Sequence, residues 1–230
     1  MDTPGTDPAQ AGRSAVPPEI HGERQDWTYN PLVARRRLGV MGGTFDPIHY
    51  GHLVTAEEAY WQFDLDGVLF VPTGEPWMKE DREVTPAEGR YLMTVIATAS
   101  NPHFSVSRVE IDRPGPSFTR DTLEALGEQE EGTALYFITG ADAILEIFHW
   151  KDPEEVLSLA NFIAATRPGY DIDRFEADAQ TRHPNVSVMS VPALAISSTD
   201  IRGRVGEGRP IRYLVPEGVK TYIDKAGLYR

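Results

Sequence analysis

Two histidines three residues apart, His49 and His52, flank Gly51 and follow the run Gly42-Gly43-Thr44-Phe45-Asp46-Pro47. At the entrance of a helix that spacing lets both imidazoles point to one side, which suits contacts with negatively charged oxygens. The ordinary alternative is a surface histidine beside a helix-capping one. A metal site would need more donors, and the chain has no cysteine and no carboxylate cluster here to complete a ligand set. Gly42 and Gly43 permit a sharp turn and close backbone approach. A glycine turn leading into a helix leaves orphan N–H groups and the positive end of the helix dipole where a polyphosphate could bind. The order of residues is not that of a P-loop, which excludes that mechanism.

A second segment of the same chemical character is Ile196-Ser197-Ser198-Thr199-Asp200-Ile201-Arg202. Three hydroxyls at a helix entrance, with an arginine one turn inside, can bind phosphate oxygens and add a fixed charge. An over-capped ordinary helix has the same composition. Other positions carry weaker signals. Lys79, in the loop after Pro72, could meet a phosphate or be a solvated surface lysine. Ser117-Phe118-Thr119 reads as a polar helix start with Ser117 or Thr119 as cap. Asp142, after Thr139-Gly140, fits an acid stabilised at a helix N-terminus. Trp150 fits a half-buried packing residue.

The elements that must hold these residues alternate in type. Arg37–Met41 is β-compatible and apolar. Leu53, Ala56, Ala59, Tyr60 and Phe63 recur at helical spacing, so Leu53–Phe63 reads as an amphipathic helix. Gly67–Val71, ending at Pro72, reads as a buried parallel strand. Thr85-Pro86-Ala87-Glu88 supplies an N-cap, a first-turn proline and a capping-box glutamate for a helix to about Ser100. Phe104–Val109 alternates like a strand, and residues 114–117 open a helix that ends near Gly127. Strands follow at Ala134–Ile138, Asn161–Ala165 and Val186–Val191. Helices are expected at Ala141–Phe148, from Asp152, in a polar stretch after Gly169, from Ser198, and at Pro216–Ala226. This alternation predicts an α/β fold, Rossmann-like and doubly wound, with a mostly parallel sheet, helices on both faces and ligands at the carboxyl ends of the strands.

The 230 residues are 40% hydrophobic, enough for one sizeable core. Residues 1–35, with five prolines and no apolar periodicity, read as a flexible N-terminal extension, leaving 36–230 as one domain. A formal net charge of −13 argues against broad nucleic-acid binding. No apolar run approaches membrane-spanning length and there is no hydrophobic signal core, so a cytoplasmic protein is expected. Oligomeric state is left open, a homo-oligomer included.

Taken together, Gly42–His52 closely resembles the GGTFDPxHxGH motif of the nucleotidyltransferase superfamily, and Ile196–Arg202 its ISSTxIR motif, in the same order. More narrowly the chain resembles the nicotinate-nucleotide adenylyltransferases over about residues 37–230. Lys79 matches the lysine of their PNxxPPHK-like loop, although Trp77 and Met78 replace its second proline and histidine. Residues 116–122 match PSYT-x-DT with Phe118 in place of tyrosine, residues 138–142 match IxGxD, and Trp150, the turn at Arg167 and the ending Gly227–Arg230 also match.

The resemblance implies transfer of the adenylyl group of ATP to nicotinate mononucleotide, giving deamido-NAD and pyrophosphate. It implies catalytic roles for His49, His52 and Arg202, through charge stabilisation on ATP. ATP contacts would come from Gly42, Gly43, Thr44, Phe45, Gly51, Ile196, Ser197, Ser198 and Thr199. Asp46, Lys79, Thr119 and Trp150 would meet nicotinate mononucleotide, and Asp142 a nucleotide sugar or phosphate. Mg²⁺ would be bound mainly through ATP phosphates and water, with no protein metal site. The partners are then the two nucleotides, without nucleic acid or membrane. The nearest rival enzymes take nicotinamide mononucleotide, phosphopantetheine or a cytidylyl substrate. An inactive nucleotide-binding regulator is the non-enzymatic alternative, but its hallmark, damage to the histidines or to the Arg202 motif, is missing here. A class I aminoacyl-tRNA synthetase fits poorly with so short and acidic a chain.

Overall fold

Alternation of apolar strands with amphipathic helices yields six parallel strands in the order β3-β2-β1-β4-β5-β6. A computed structural model describes residues 36–76, 84–141, 143–144, 153–166, 184–192 and 194–230. All of these lie in one unit, Leu32–Arg230. The strands are β1 (Arg36–Gly43), β2 (Gly67–Pro72), β3 (Phe104–Val106), β4 (Thr133–Gly140), β5 (Asn161–Thr166) and β6 (Val186–Ser190). The helices are α1 (Tyr50–Gln62), α2 (Ala87–Thr98), α3 (Thr119–Gln129), α4 (Pro153–Leu159), α5 (Ser198–Gly206) and α6 (Glu217–Ala226). Among the described residues no helix is long and apolar enough to cross a membrane.

Successive strand side chains point to opposite faces, and the core divides accordingly. Met41, Val68, Phe70, Ile138, Ile163 and Met189 pack on one face against Ala56 and Ala59 of α1, Met93 of α2, Ile201 of α5 and Val219 and Ile223 of α6. Leu38, Val40, Val71, Phe137, Phe162 and Ala164 pack on the other against Leu123 and Leu126 of α3 and Val156 and Leu157 of α4. Both faces are covered, which is why the strands read as apolar runs. The chain leaves β1 towards β2 and returns across it to β4, so β1 and β4 flank the point where strand order reverses. A crevice opens there beyond the carboxyl ends of the strands.

Some local expectations are corrected. Thr85 is not the N-cap of α2. Pro86 is, with no side-chain bond, because the Thr85 carbonyl is drawn to the buried Arg90. Strand β3 stops at Val106 because the Ser107 hydroxyl takes the Val109 amide, a local bond that turns the chain. Helix α3 starts at Thr119 with Phe118 as N-cap, and the Ser117 hydroxyl accepts the Gly74 amide instead of capping α3. It runs past Gly127 to Gln129, and the left-handed turn falls to Gly132 at φ 78°. The 1–35 extension, most of the 141–148 helix and the polar stretch after Gly169 lie outside the described residues.

Candidate active site

The turn between β1 and α1 carries most of the predicted chemistry. Gly42 and Gly43 end β1, Phe45 takes φ 48°, the Asp46–Pro47 bond is cis, and His49 is the N-cap of α1. The His49 amide donates to His52 Nδ1 at 3.2 Å, and the His52 amide donates to the His49 carbonyl at 3.0 Å. A neutral His52 therefore holds its proton on Nε2, the tautomer that can donate to an oxygen beyond the turn. The same ring stacks on His49, centroids 3.7 Å apart, and meets the edge of Phe45 at 5.1 Å. Two aromatic neighbours and one backbone bond fix its orientation. The first turn of α1 holds no acidic residue to offset the positive end of its dipole.

Gly51 is required by space. A Cβ there would lie 2.9 Å from Cε1 and Nδ1 of His49. His49 itself is 6% exposed, held under the turn. The histidine pair caps the helix and both rings line the adjoining cavity, so His49 is a buried capping residue and not a surface histidine.

The distant Ser198–Arg202 segment docks on this turn. Ser198 Oγ donates to the Pro47 carbonyl at 2.9 Å, and Arg202 Nη1 donates to the Asp46 carbonyl at 2.7 Å. Arg202 Nη2 also reaches Thr199 Oγ1 at 3.2 Å, while the Ser197 hydroxyl caps α5 by accepting the Asp200 amide at 3.1 Å. Between the two segments lies a cavity of about 410 Å³ whose lining includes Gly42, His49, Gly51, His52, Ile196, Ser197 and Ser198. Thr139 and Gly140, at the end of β4, close its far side. Gly43, Thr44, Phe45, Thr199 and Arg202 lie in the same turn and helix but do not line the cavity. Phe45 is buried, so its contribution is its backbone and the ring packed on His52.

Thr119 lies elsewhere, at the start of α3. The segment before it pairs with the loop after β2: Ser117 donates its amide to the Glu75 carbonyl at 3.1 Å. A smaller hollow of about 350 Å³, lined by residues that include Gly74, Pro76, Thr85, Arg90 and Pro116, marks this junction. Lys79, Asp142 and Trp150, with Trp77, Met78 and the Arg167 turn, lie outside the described residues. Asp46 is 2% exposed, and its Oδ1 accepts the Tyr229 hydroxyl at 2.7 Å.

Three residues gain importance that their sequence positions did not give them. Arg90, 1% exposed, donates to the carbonyls of Thr44 (2.9 Å), Gly74 (2.9 Å) and Thr85 (2.8 Å), tying the phosphate-type turn to both ends of the loop between β2 and α2. Burial pushes its pKa down while Asp46, Tyr229 and Glu110 oppose that shift. Its signal was present: Arg90, Met93, Thr94 and Ala97 form one helical face that is otherwise uncharged. Glu110 is buried beneath Gly74 and accepts the Thr122 hydroxyl at 2.7 Å. Desolvation raises its pKa against the hydrogen bonds from Thr122 and Ser117. Tyr229 stood in a matching terminal motif, with nothing in the sequence to assign its hydroxyl a partner.

A doubly wound sheet whose switch point holds a glycine turn, a histidine pair and a docked hydroxyl-arginine helix defines a nucleotide-handling protein of the nucleotidyltransferase class. Residues 40–204 match the cytidylyltransferase-like family. A protein of Leifsonia xyli named as a probable nicotinate-nucleotide adenylyltransferase is 59% identical over 197 residues, 86% of this chain and 96% of its own. One of Nocardioides, with the same name, is 60% identical over 189 residues, 82% of this chain and 92% of its own. The solved structure of the Plasmodium falciparum nicotinic acid mononucleotide adenylyltransferase complexed with NaAD shares the fold, with a TM-score of 0.70 at 22% identity over 84% of this chain and 97% of that one. The chain belongs to the cytidylyltransferase-like family, among its nicotinate-nucleotide adenylyltransferases.

Proposed function

We propose that this site transfers the adenylyl group of ATP to nicotinate mononucleotide, giving deamido-NAD and pyrophosphate in NAD biosynthesis. The observation that carries the reading is the docking of Ser198 and Arg202 on the Pro47 and Asp46 carbonyls, which draws two phosphate-type segments to one cavity. The names of the relatives supply the acceptor.

A phosphate oxygen of the mononucleotide attacks the α-phosphorus of ATP, the bond from that phosphorus to the β-bridging oxygen breaks, and its electron pair leaves with pyrophosphate. Near neutral pH a phosphate monoester is already largely a dianion. No general base or covalent enzyme intermediate is needed, so catalysis reduces to alignment and charge stabilisation. His52 donates from Nε2, His49 buttresses it, and Arg202 and the N-termini of α1 and α5 supply positive charge around the triphosphate. The backbones of Gly42, Gly43, Thr44, Phe45 and Gly51, with Ile196, Ser197, Ser198 and Thr199, form the ATP cradle. We assign Asp46, Lys79, Thr119 and Trp150 to the acceptor side and Asp142 to a nucleotide sugar or phosphate, on the match of their motifs.

The donors around the cavity suit a cation carried by the nucleotide. Among the described residues no group of three or more His, Cys, Asp or Glu could hold an ion, and His52 Nδ1 is already bonded to a backbone amide. Mg²⁺ bound through phosphate oxygens and water would screen charge on the departing pyrophosphate. The reaction would run in the cytoplasm, where ATP is supplied.

The test is pyrophosphate release with ATP, Mg²⁺ and a panel of acceptors. Nicotinate mononucleotide should give the highest kcat/KM. Preference for nicotinamide mononucleotide or phosphopantetheine would overturn the acceptor, and tight ATP binding with no release on any acceptor would leave a nucleotide-binding regulator.

A further inference from the structure

Asp46 is held at both of its polar ends by residues more than 150 positions away. Its carbonyl accepts Arg202 Nη1 at 2.7 Å, and its carboxylate Oδ1 accepts the Tyr229 hydroxyl at 2.7 Å. It lies three residues before His49, in the turn whose other supports are Ser198 on the Pro47 carbonyl and Arg90 on the Thr44 carbonyl. Each of those supports grips backbone. Tyr229 alone among these bonds reaches the turn through a buried carboxylate, where a charge-assisted bond is strongest.

The local fold aims Tyr229 there. Gly227 ends α6 in the left-handed region at φ 66°, and the Leu228 amide bonds back to the Ile223 carbonyl at 3.1 Å. Tyr229 then takes φ 64°, a conformation that costs a non-glycine residue about 1 kcal/mol or more. A strained backbone kept at such a site needs compensating contacts. Burial pushes the Tyr229 pKa far up, a hydrogen bond with the Thr85 side chain opposing the shift and the one to Asp46 adding to it, so the hydroxyl remains a donor across the working pH range.

We propose that Tyr229 is a positioning residue for adenylyl transfer: by anchoring the Asp46 carboxylate it holds the turn that sets the His49–His52 pair and the carbonyl against which Arg202 is placed. The inference rests on the function proposed above. It assigns Tyr229 no contact with substrate; its effect passes through Asp46.

Tyr229→Phe removes one oxygen and keeps the ring, and it should fold. Three variants, Tyr229→Phe, Asp46→Ala and the double, would be compared with wild type in thermal unfolding, pyrophosphate release and calorimetric binding of a nonhydrolysable ATP analogue. Tyr229→Phe should lower kcat about tenfold and weaken the analogue about fivefold at a temperature where it is fully folded. In the Asp46→Ala background, which has no acceptor for the hydroxyl, the same change should cost no more than about twofold in either readout, since residues acting in series are non-additive. A Tyr229→Phe protein with kcat and analogue affinity within about twofold of wild type would overturn the proposal. So would an undiminished loss in the Asp46→Ala background, which would place the action of Tyr229 elsewhere. If wild type releases no pyrophosphate with any acceptor, the reaction has been misassigned, and the analogue affinities of the same variants still decide the role of Tyr229.

Discussion

His52 does two jobs with its two ring nitrogens. Nδ1 closes the helix cap from the His49 amide, and in the proposed reaction the proton this leaves on Nε2 is donated to the triphosphate. Replacing it with alanine removes both, but the two losses differ in size. A lost cap costs about 1 kcal/mol, whereas a lost donor to developing charge lowers kcat about a hundredfold or more. His52→Ala should therefore unfold only slightly earlier than wild type in a thermal scan while losing at least that much turnover. Gly51→Ala tests the geometry without removing any catalytic atom. The new methyl would press on the His49 ring from 2.9 Å, so kcat should fall about tenfold or more with the helix intact by circular dichroism. Normal turnover in that variant would show that the ring positions are not critical.

At the scale of elements, Arg90, 1% exposed, joins α2 to two loops through three carbonyls. Arg90→Met keeps the volume and strands those carbonyls, so urea unfolding should show a loss of about 3 kcal/mol or more. Glu110 sets a pH dependence. Burial raises its pKa in the folded protein, so the native state binds this proton more tightly than the unfolded chain does. Its contribution to stability is therefore greatest below about pH 4, the ordinary carboxyl range, falls as pH rises towards the raised folded value, and is fully lost above it. Glu110→Gln keeps an acceptor for Thr122 and does not titrate. Its unfolding free energy relative to wild type should rise across that window, and a difference independent of pH would contradict the assignment. The element boundaries divide along the same line. Strand cores and α1 were legible because apolar runs and helical spacing are local signals. The expected caps at Thr85 and Ser117 do not form: Arg90, one turn into α2, takes the Thr85 carbonyl, and the Gly74 amide, 43 positions away, takes the Ser117 hydroxyl.

At the scale of the molecule, the strand order explains why so much of the site could be read from two short strings. The β1 turn and the α5 entrance each carry a recognisable pattern, and the switch between β1 and β4 leaves one crevice beside the turn. What the sequence could not display is the underside of that crevice. The bonds of Arg90 to Thr44, Glu110 to Thr122 and Tyr229 to Asp46 span 46, 12 and 183 positions, and no spacing rule links such pairs.

The convergence of two segments on one triphosphate is tested most directly by a crystal structure with a nonhydrolysable ATP analogue and nicotinate mononucleotide. The triphosphate should lie in the cavity between His52 and Ser198, with phosphate oxygens at hydrogen-bond distance from His52 Nε2 and from the start of α5. A triphosphate bound away from that cavity, or touching only one of the two segments, would contradict the account.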